Sequence, residues 1–154
     1  MVTKPESKLW RKVKKETPLI TWQRIEGSFL AGIPDALGYH DACAFFTCEL
    51  KIAHTRRLVF SPHQIAFHKV MPKRTFILST NRDLQDLHLF EGKYIQELVD
   101  NRFEDVPTCC MDWKKLTNIL IGFNDSKNHL NKVLVEQNSM KQRVKRRSKE
   151  PSLN

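Results

Sequence analysis

The sequence predicts an α/β fold, a sheet with helices packed against it. Two observations carry that expectation: runs with the two-residue alternation of strands recur along the chain, and runs with helical spacing of apolar residues lie before, between and after them. A helix-start signature of serine, proline and glutamine separates two of the strand-like runs.

The elements follow in order. Glu6 to Lys15 sets Leu9, Trp10 and Val13 at helical spacing among lysines, and Pro18 closes the segment because the residue before a proline is disfavoured in a helix. Leu19 to Glu26 alternates as a strand, with Trp22, Arg24 and Glu26 on one face and Leu19, Thr21, Gln23 and Ile25 on the other. Gly27 to Pro34 reads as a loop that delivers Asp35 to a short strand, Asp35 to Tyr39, and His40 to Ala42 forms the next turn. Cys43 to Ala53 is the clearest strand: Ala44, Phe46, Cys48 and Leu50 make one face, and Phe45, Thr47, Glu49 and Lys51 the other. Ser61 caps a helix with Pro62 in its first position and Gln64 three after the cap, so that Ile65, Phe67, Val70 and Met71 can pack inward. Arg74 to Thr80 is a buried strand, and helical patterns follow at Lys93 to Val99, Asp112 to Ile121 and Lys127 to Val135.

Apolar content collapses from Met140 onward. The expected organisation is one domain over residues 1–139 and a basic, disordered tail over 140–154. Lysine and arginine number 26 against 17 acidic residues, a net charge of +9, which favours a polyanionic partner such as nucleic acid. Charge alone does not separate an enzyme from a binding protein. No apolar run has membrane-spanning length and the N-terminal segment lacks an apolar centre, so a soluble, cytoplasmic protein is expected, with no membrane partner. Cys43, Cys48, Cys109 and Cys110 show no CxxC spacing, which argues against zinc and a disulfide framework. His54, His63 and His68 match no metal motif and read as surface residues.

Glu49 and Lys51 stand on one strand face about 6.6–7 Å apart, at the charged end of an otherwise apolar run. Phosphodiester hydrolysis needs a positioned water, a hard cation to neutralise phosphate charge, and a donor for the developing negative charge. Asp35 and Glu49 converging at adjacent strand ends would hold Mg2+ with positions left for water and phosphate, and Lys51 would orient that water or stabilise the transition state.

The order Gly32-Ile33-Pro34-Asp35, Glu49-Leu50-Lys51 and Ser61-Pro62-His63-Gln64 resembles the PD-(D/E)XK nuclease superfamily, and within it the stand-alone phage-type VRR-NUC and Holliday junction resolvase-like domains. The resemblance runs from about Thr21 to Thr80. It implies a restriction-endonuclease-like α-β-β-β-α-β core with a central mixed sheet, and a catalytic set of Asp35, Glu49, Lys51, Gln64 and Glu26. It further implies metal ligation by Asp35, Glu49 and the Leu50 backbone carbonyl, with Mg2+ as cofactor and Mn2+ as its substitute. Arg24 would contact phosphate, as would Arg56 and Arg57 on a loop after the strand.

Several roles stay open in the sequence. Gln64 serves the helix cap or the site; Glu26 completes the metal shell or pairs with Arg24; Glu6 or Glu16 supplies a carboxylate from the first helix. Pro72-Lys73 stands where such nucleases often carry a glycine, which leaves that loop's shape undetermined. The expected function is a magnesium-dependent DNA endonuclease, structure-selective in the manner of junction resolvases and working as a homodimer, in the host cytoplasm if phage-encoded. A general nicking or degradative nuclease, a catalytically silent nucleic-acid-binding protein of the same fold, and an RNA substrate are the alternatives.

Overall fold

The computed structural model describes residues 5–25 and 31–122. Their elements are α1 (Pro5–Glu16), β1 (Thr21–Arg24), β2 (Ala36–His40), β3 (Ala44–Ile52), α2 (Pro62–Val70), β4 (Thr75–Thr80), β5 (Leu87–Glu91), α3 (Ile95–Asp100) and α4 (Trp113–Gly122). Short 3₁₀ turns at Gly92–Tyr94 and Phe103–Asp105 flank α3.

One sheet runs in the order β1-β2-β3-β4-β5. β1, β2 and β3 pair antiparallel, β3 and β4 parallel, and β4 and β5 antiparallel. Parallel neighbours need a crossover, and α2 supplies it. The sheet is therefore mixed, and its first six elements follow the α-β-β-β-α-β order of a restriction-endonuclease-like core. β5 is an addition that the sequence pattern did not bring out; its outer edge is closed by a bridge between Leu89 and Cys110.

Strand alternation sends apolar side chains to both faces. On one, an edge-to-face series of rings links helix to sheet: Trp10 to Trp22 at 6.2 Å, Trp22 to Phe46 at 5.4 Å and Phe46 to Phe76 at 5.8 Å between centroids. Trp22, Gly38 and Phe46 are register partners, and the Phe46 ring lies over the space a side chain at Gly38 would take. Leu9 and Val13 of α1 are fully buried, and α4 is tied to α1 by the Thr117 hydroxyl donating to the Glu16 carbonyl at 3.2 Å. On the other face Ile77 and Phe90 pack with Leu58, Ile95, Leu98 and Val106, and Ile65 of α2 joins them. No helix among the described residues is long and apolar enough to cross a membrane.

Three expectations change. β1 is shorter than Leu19 to Glu26: Leu19 is exposed and Glu26 lies outside the described residues. The inward face expected for α2 holds in part: Ile65 packs on the core and Phe67 is half-buried, but Val70 and Met71 are exposed and His68, expected on the surface, is fully buried. The physical reason is the rotation of the helix: Gln64 is drawn toward the sheet, His68 follows one turn later, and Val70 sits about 200° around from His68. In the turn before β4, Arg74 takes the left-handed conformation (φ 56°) in place of a glycine. Its guanidinium donates to the Cys43 carbonyl and its own carbonyl accepts from the Thr47 amide at 3.0 Å, which holds the turn. The helix expected at Lys127 to Val135, the boundary at 139 and the basic tail 140–154 lie outside the described residues.

Candidate active site

β2 and β3 leave register after Ala36 and Cys48, and β3 runs on for four residues beside β4. Beyond that divergence opens a cleft of about 330 Å³, lined by Arg24, Asp35, Glu49, Lys51, His54 and Gln64 with Glu6, Leu50 and Ile52. Asp35 reaches it because the preceding loop makes a close turn against the start of α2. Gly32 has φ +87°, and a Cβ there would lie 2.6 Å from the His63 backbone, so only glycine fits.

Each side chain is held. The Asp35 carboxylate accepts from the Leu50 backbone amide at 2.8 Å. A strand residue's amide and carbonyl leave on the same edge, so the Leu50 carbonyl also points to the side that β2 has vacated. Glu49 is 1% exposed. Its Oε1 lies 3.1 Å from Lys51 Nζ and accepts from Gln64 Nε2, while its Oε2 is buried with no well-formed hydrogen bond among the described residues, the Asp35 backbone amide lending the carboxyl only partial support. Lys51 Nζ also donates to Gln64 Oε1 at 3.0 Å and lies 5.0 Å from the centre of the Phe60 ring.

Gln64 makes both kinds of contact, with the helix cap and with Glu49 and Lys51. Its Oε1 accepts from the Ser61 amide at 3.0 Å, and its own backbone amide donates to the Ser61 hydroxyl oxygen at 3.2 Å, a complete capping box. The carbonyl oxygen has two lone pairs, so it accepts from Ser61 and Lys51 together while the NH₂ group faces Glu49.

Burial and then the neighbouring Asp35 charge push Glu49 up to about 7, against the pull of Lys51. Burial also raises Asp35, opposed by the Leu50 amide and by Lys51. A buried carboxylate with an under-satisfied oxygen beside a second carboxylate is costly on its own and suits a hard cation. Among the described residues no group of three or more His, Cys, Asp and Glu side chains is placed to hold a metal. The fit to Mg2+ therefore rests on Asp35, Glu49 and a backbone oxygen, which accords with an ion that keeps several waters.

Of the first-helix carboxylates, Glu6 lines the cleft whereas Glu16 pairs with Lys12 at 3.9 Å. Arg24 lines the cleft. Arg56 and Arg57 are exposed on the loop after β3, outside the cleft lining, and Arg56 lies 3.9 Å from Glu104. His54, which the sequence left among surface histidines, is the cleft residue that pattern reasoning missed; no spacing marks it, because its place depends on where β3 ends.

No family model and no curated protein matches the chain. Among solved structures, Hjc, a Holliday junction resolvase from Archaeoglobus fulgidus, aligns with TM-score 0.43 and 15% identity over 59% of this chain and 76% of its own. A likeness at that level transfers no residue role to this chain.

Proposed function

We propose that the chain is a divalent-metal-dependent DNA endonuclease. The observation that carries this is Glu49: a carboxylate buried at the end of β3, held by Lys51 and Gln64, with one oxygen that no described residue partners in a well-formed hydrogen bond, beside Asp35 in an open cleft. Structural carboxylates are ordinarily either solvated or fully paired.

Asp35, Glu49 and the Leu50 carbonyl would hold Mg2+ or Mn2+, which when bound neutralises phosphate charge and acidifies a water. Lys51 supplies an N–H donor to a phosphate oxygen or to the attacking water. Gln64 keeps Lys51 and Glu49 in one geometry, and Arg24 offers a guanidinium to the backbone from the β1 side. Glu26 and Glu6 are candidates for a further carboxylate. On the motif resemblance, four-way DNA junctions are the first substrates to test and a homodimer is the expected working form. Arg56 and Arg57, close to the end of β3, would meet DNA outside the cleft.

Cleavage of labelled four-way, nicked, linear and single-stranded DNA, with an RNA control, tests this in magnesium and in chelator. Wild type should cut only with metal, and Glu49→Ala and Asp35→Asn should lose at least about a hundredfold. Asp35→Asn keeps an oxygen for the Leu50 amide, so its loss would report charge rather than folding. Binding without cutting by wild type would leave a nucleic-acid-binding protein of this fold.

A further inference from the structure

From the far rim of the same cleft we infer that Arg82 and His54 form a second phosphate seat, which grips the nucleic-acid backbone beside the phosphate that reacts. The inference rests on the nuclease reading for the name of its ligand, and on separate residues for its geometry.

His54 follows β3 directly and lines the cleft; Arg82 belongs to the turn that joins β4 to β5. The two are 28 positions apart, and Arg82 Nε donates to His54 Nδ1 at 3.1 Å. An Nδ1 that accepts places the proton of the neutral imidazole on Nε2, so the ring presents a donor and not a second acceptor. Using Nε for this bond leaves Arg82 its two terminal nitrogens, the pair that takes phosphate oxygens in bidentate fashion.

The turn keeps that guanidinium available. It contains two aspartates, yet Arg82 makes no ion pair among the described residues. Asp86 is instead engaged by Asn81 Nδ2 at 2.9 Å, and the Asn81 carbonyl oxygen accepts from the Gln85 amide at 2.9 Å. A cation beside acids of its own turn is thus bonded to a neutral ring that lines the cleft.

The charge in the cleft calls for such a contact. Glu6, Asp35 and Glu49 outnumber Arg24 and Lys51 along its wall, so a polyanion entering without metal meets a wall with more acids than bases. His54 lies three positions after Lys51, at most about 11 Å of chain, a reach that suits a neighbouring phosphate on the same strand. Arg24 on the β1 side and Arg82 on the β4–β5 side would then hold the backbone on both sides of Asp35 and Glu49. Arg82 and His54 are positioning residues, bonded to each other at the cleft rim.

The test is equilibrium binding of a labelled four-way junction in chelator, where nothing is cut, over a range of salt, for wild type, Arg82→Gln, His54→Gln and the double variant. Arg82→Gln should weaken binding by about tenfold and lower the slope of log K against log salt by about one. His54→Gln should weaken binding with the slope kept, and the double variant should bind like Arg82→Gln, because one seat is lost once. In magnesium, both single variants should raise KM while kcat stays within about twofold. Slopes and KM unchanged in both variants, with wild type cutting in magnesium, would overturn the seat and leave the nuclease. Wild type that binds with the expected slope difference but never cuts would overturn the nuclease and leave the seat. Melting temperatures of both variants should match wild type, as the pair is exposed.

Discussion

Gln64 and Glu49, fifteen positions apart, meet through the Gln64 amide nitrogen and Glu49 Oε1, so the first turn of α2 is bonded to the end of β3. The same side chain completes the capping box with Ser61. Helix start and candidate site therefore share one side chain.

Substitutions can separate the two roles. Ser61→Ala removes the cap alone and should cost about 1 kcal/mol of stability with little change in cleavage rate. Gln64→Glu keeps an acceptor for the Ser61 amide but sets a second carboxylate against Glu49. It should retain most of the cap and lose cleavage by at least about tenfold. Chemical denaturation beside cleavage assays reads both, and equal losses for the two variants in both assays would contradict the division.

Glu49 makes metal-free stability depend on pH in an unusual direction. Its folded value of about 7 lies above the ordinary 4.5, so between those values the folded chain binds more protons than the unfolded one. Stability from this group is complete below pH 4.5 and lost as pH rises through about 7. The gap between Glu49→Gln and wild type should therefore move by about 3 kcal/mol toward the variant from pH 4 to pH 8 in chelator. Thermal melts at both pH values check it; a gap independent of pH would contradict the raised value.

His68 works in the opposite sense. Burial, with Lys51 adding to it, lowers the ring to about 4 from 6.5, so the unfolded chain binds more protons within that window. Stability from His68 is present above pH 6.5 and lost as pH falls through about 4. Between pH 4.5 and 6.5 the two groups offset each other. His68→Gln should thus show a steeper loss of stability with rising pH than wild type, whatever its absolute stability.

Gly38 tests the ring series. A Cβ there would lie 2.4 Å from Phe46 Cζ, so Gly38→Ala must displace the ring that joins Trp22 to Phe76. A loss of about 1–3 kcal/mol is expected. Gly122→Ala, with nothing among the described residues within 4 Å of the added carbon, should be neutral or gain up to about 1 kcal/mol. Denaturant midpoints for the two variants provide the comparison.

Much of the candidate site was legible because its pattern is local. Glu49 and Lys51 share a face by strand geometry alone, Ser61-Pro62-His63-Gln64 spells a helix start in any context, and Asp35 follows a loop whose glycine has a backbone reason. β5 was not legible: five residues carry little periodic signal, and its edge is completed by Cys110, from a segment well beyond it. The inward face of α2 was misjudged in part because apolar residues were weighed without the polar bond that sets the helix's rotation. Glu26 and the basic tail lie outside the described residues.

What the sequence determined by itself is the set of elements with strong local periodicity and the identity of three charged residues, since alternation, capping and turn preference act over a few positions. What only the tertiary structure decided is convergence: that β2 stops short of the end of β3, that Gln64 serves two partners, that Glu6 rather than Glu16 faces the cleft, and that His54 meets Arg82 across 28 positions. Those relations depend on strand register and helix rotation, which long-range packing fixes and no short window of sequence contains.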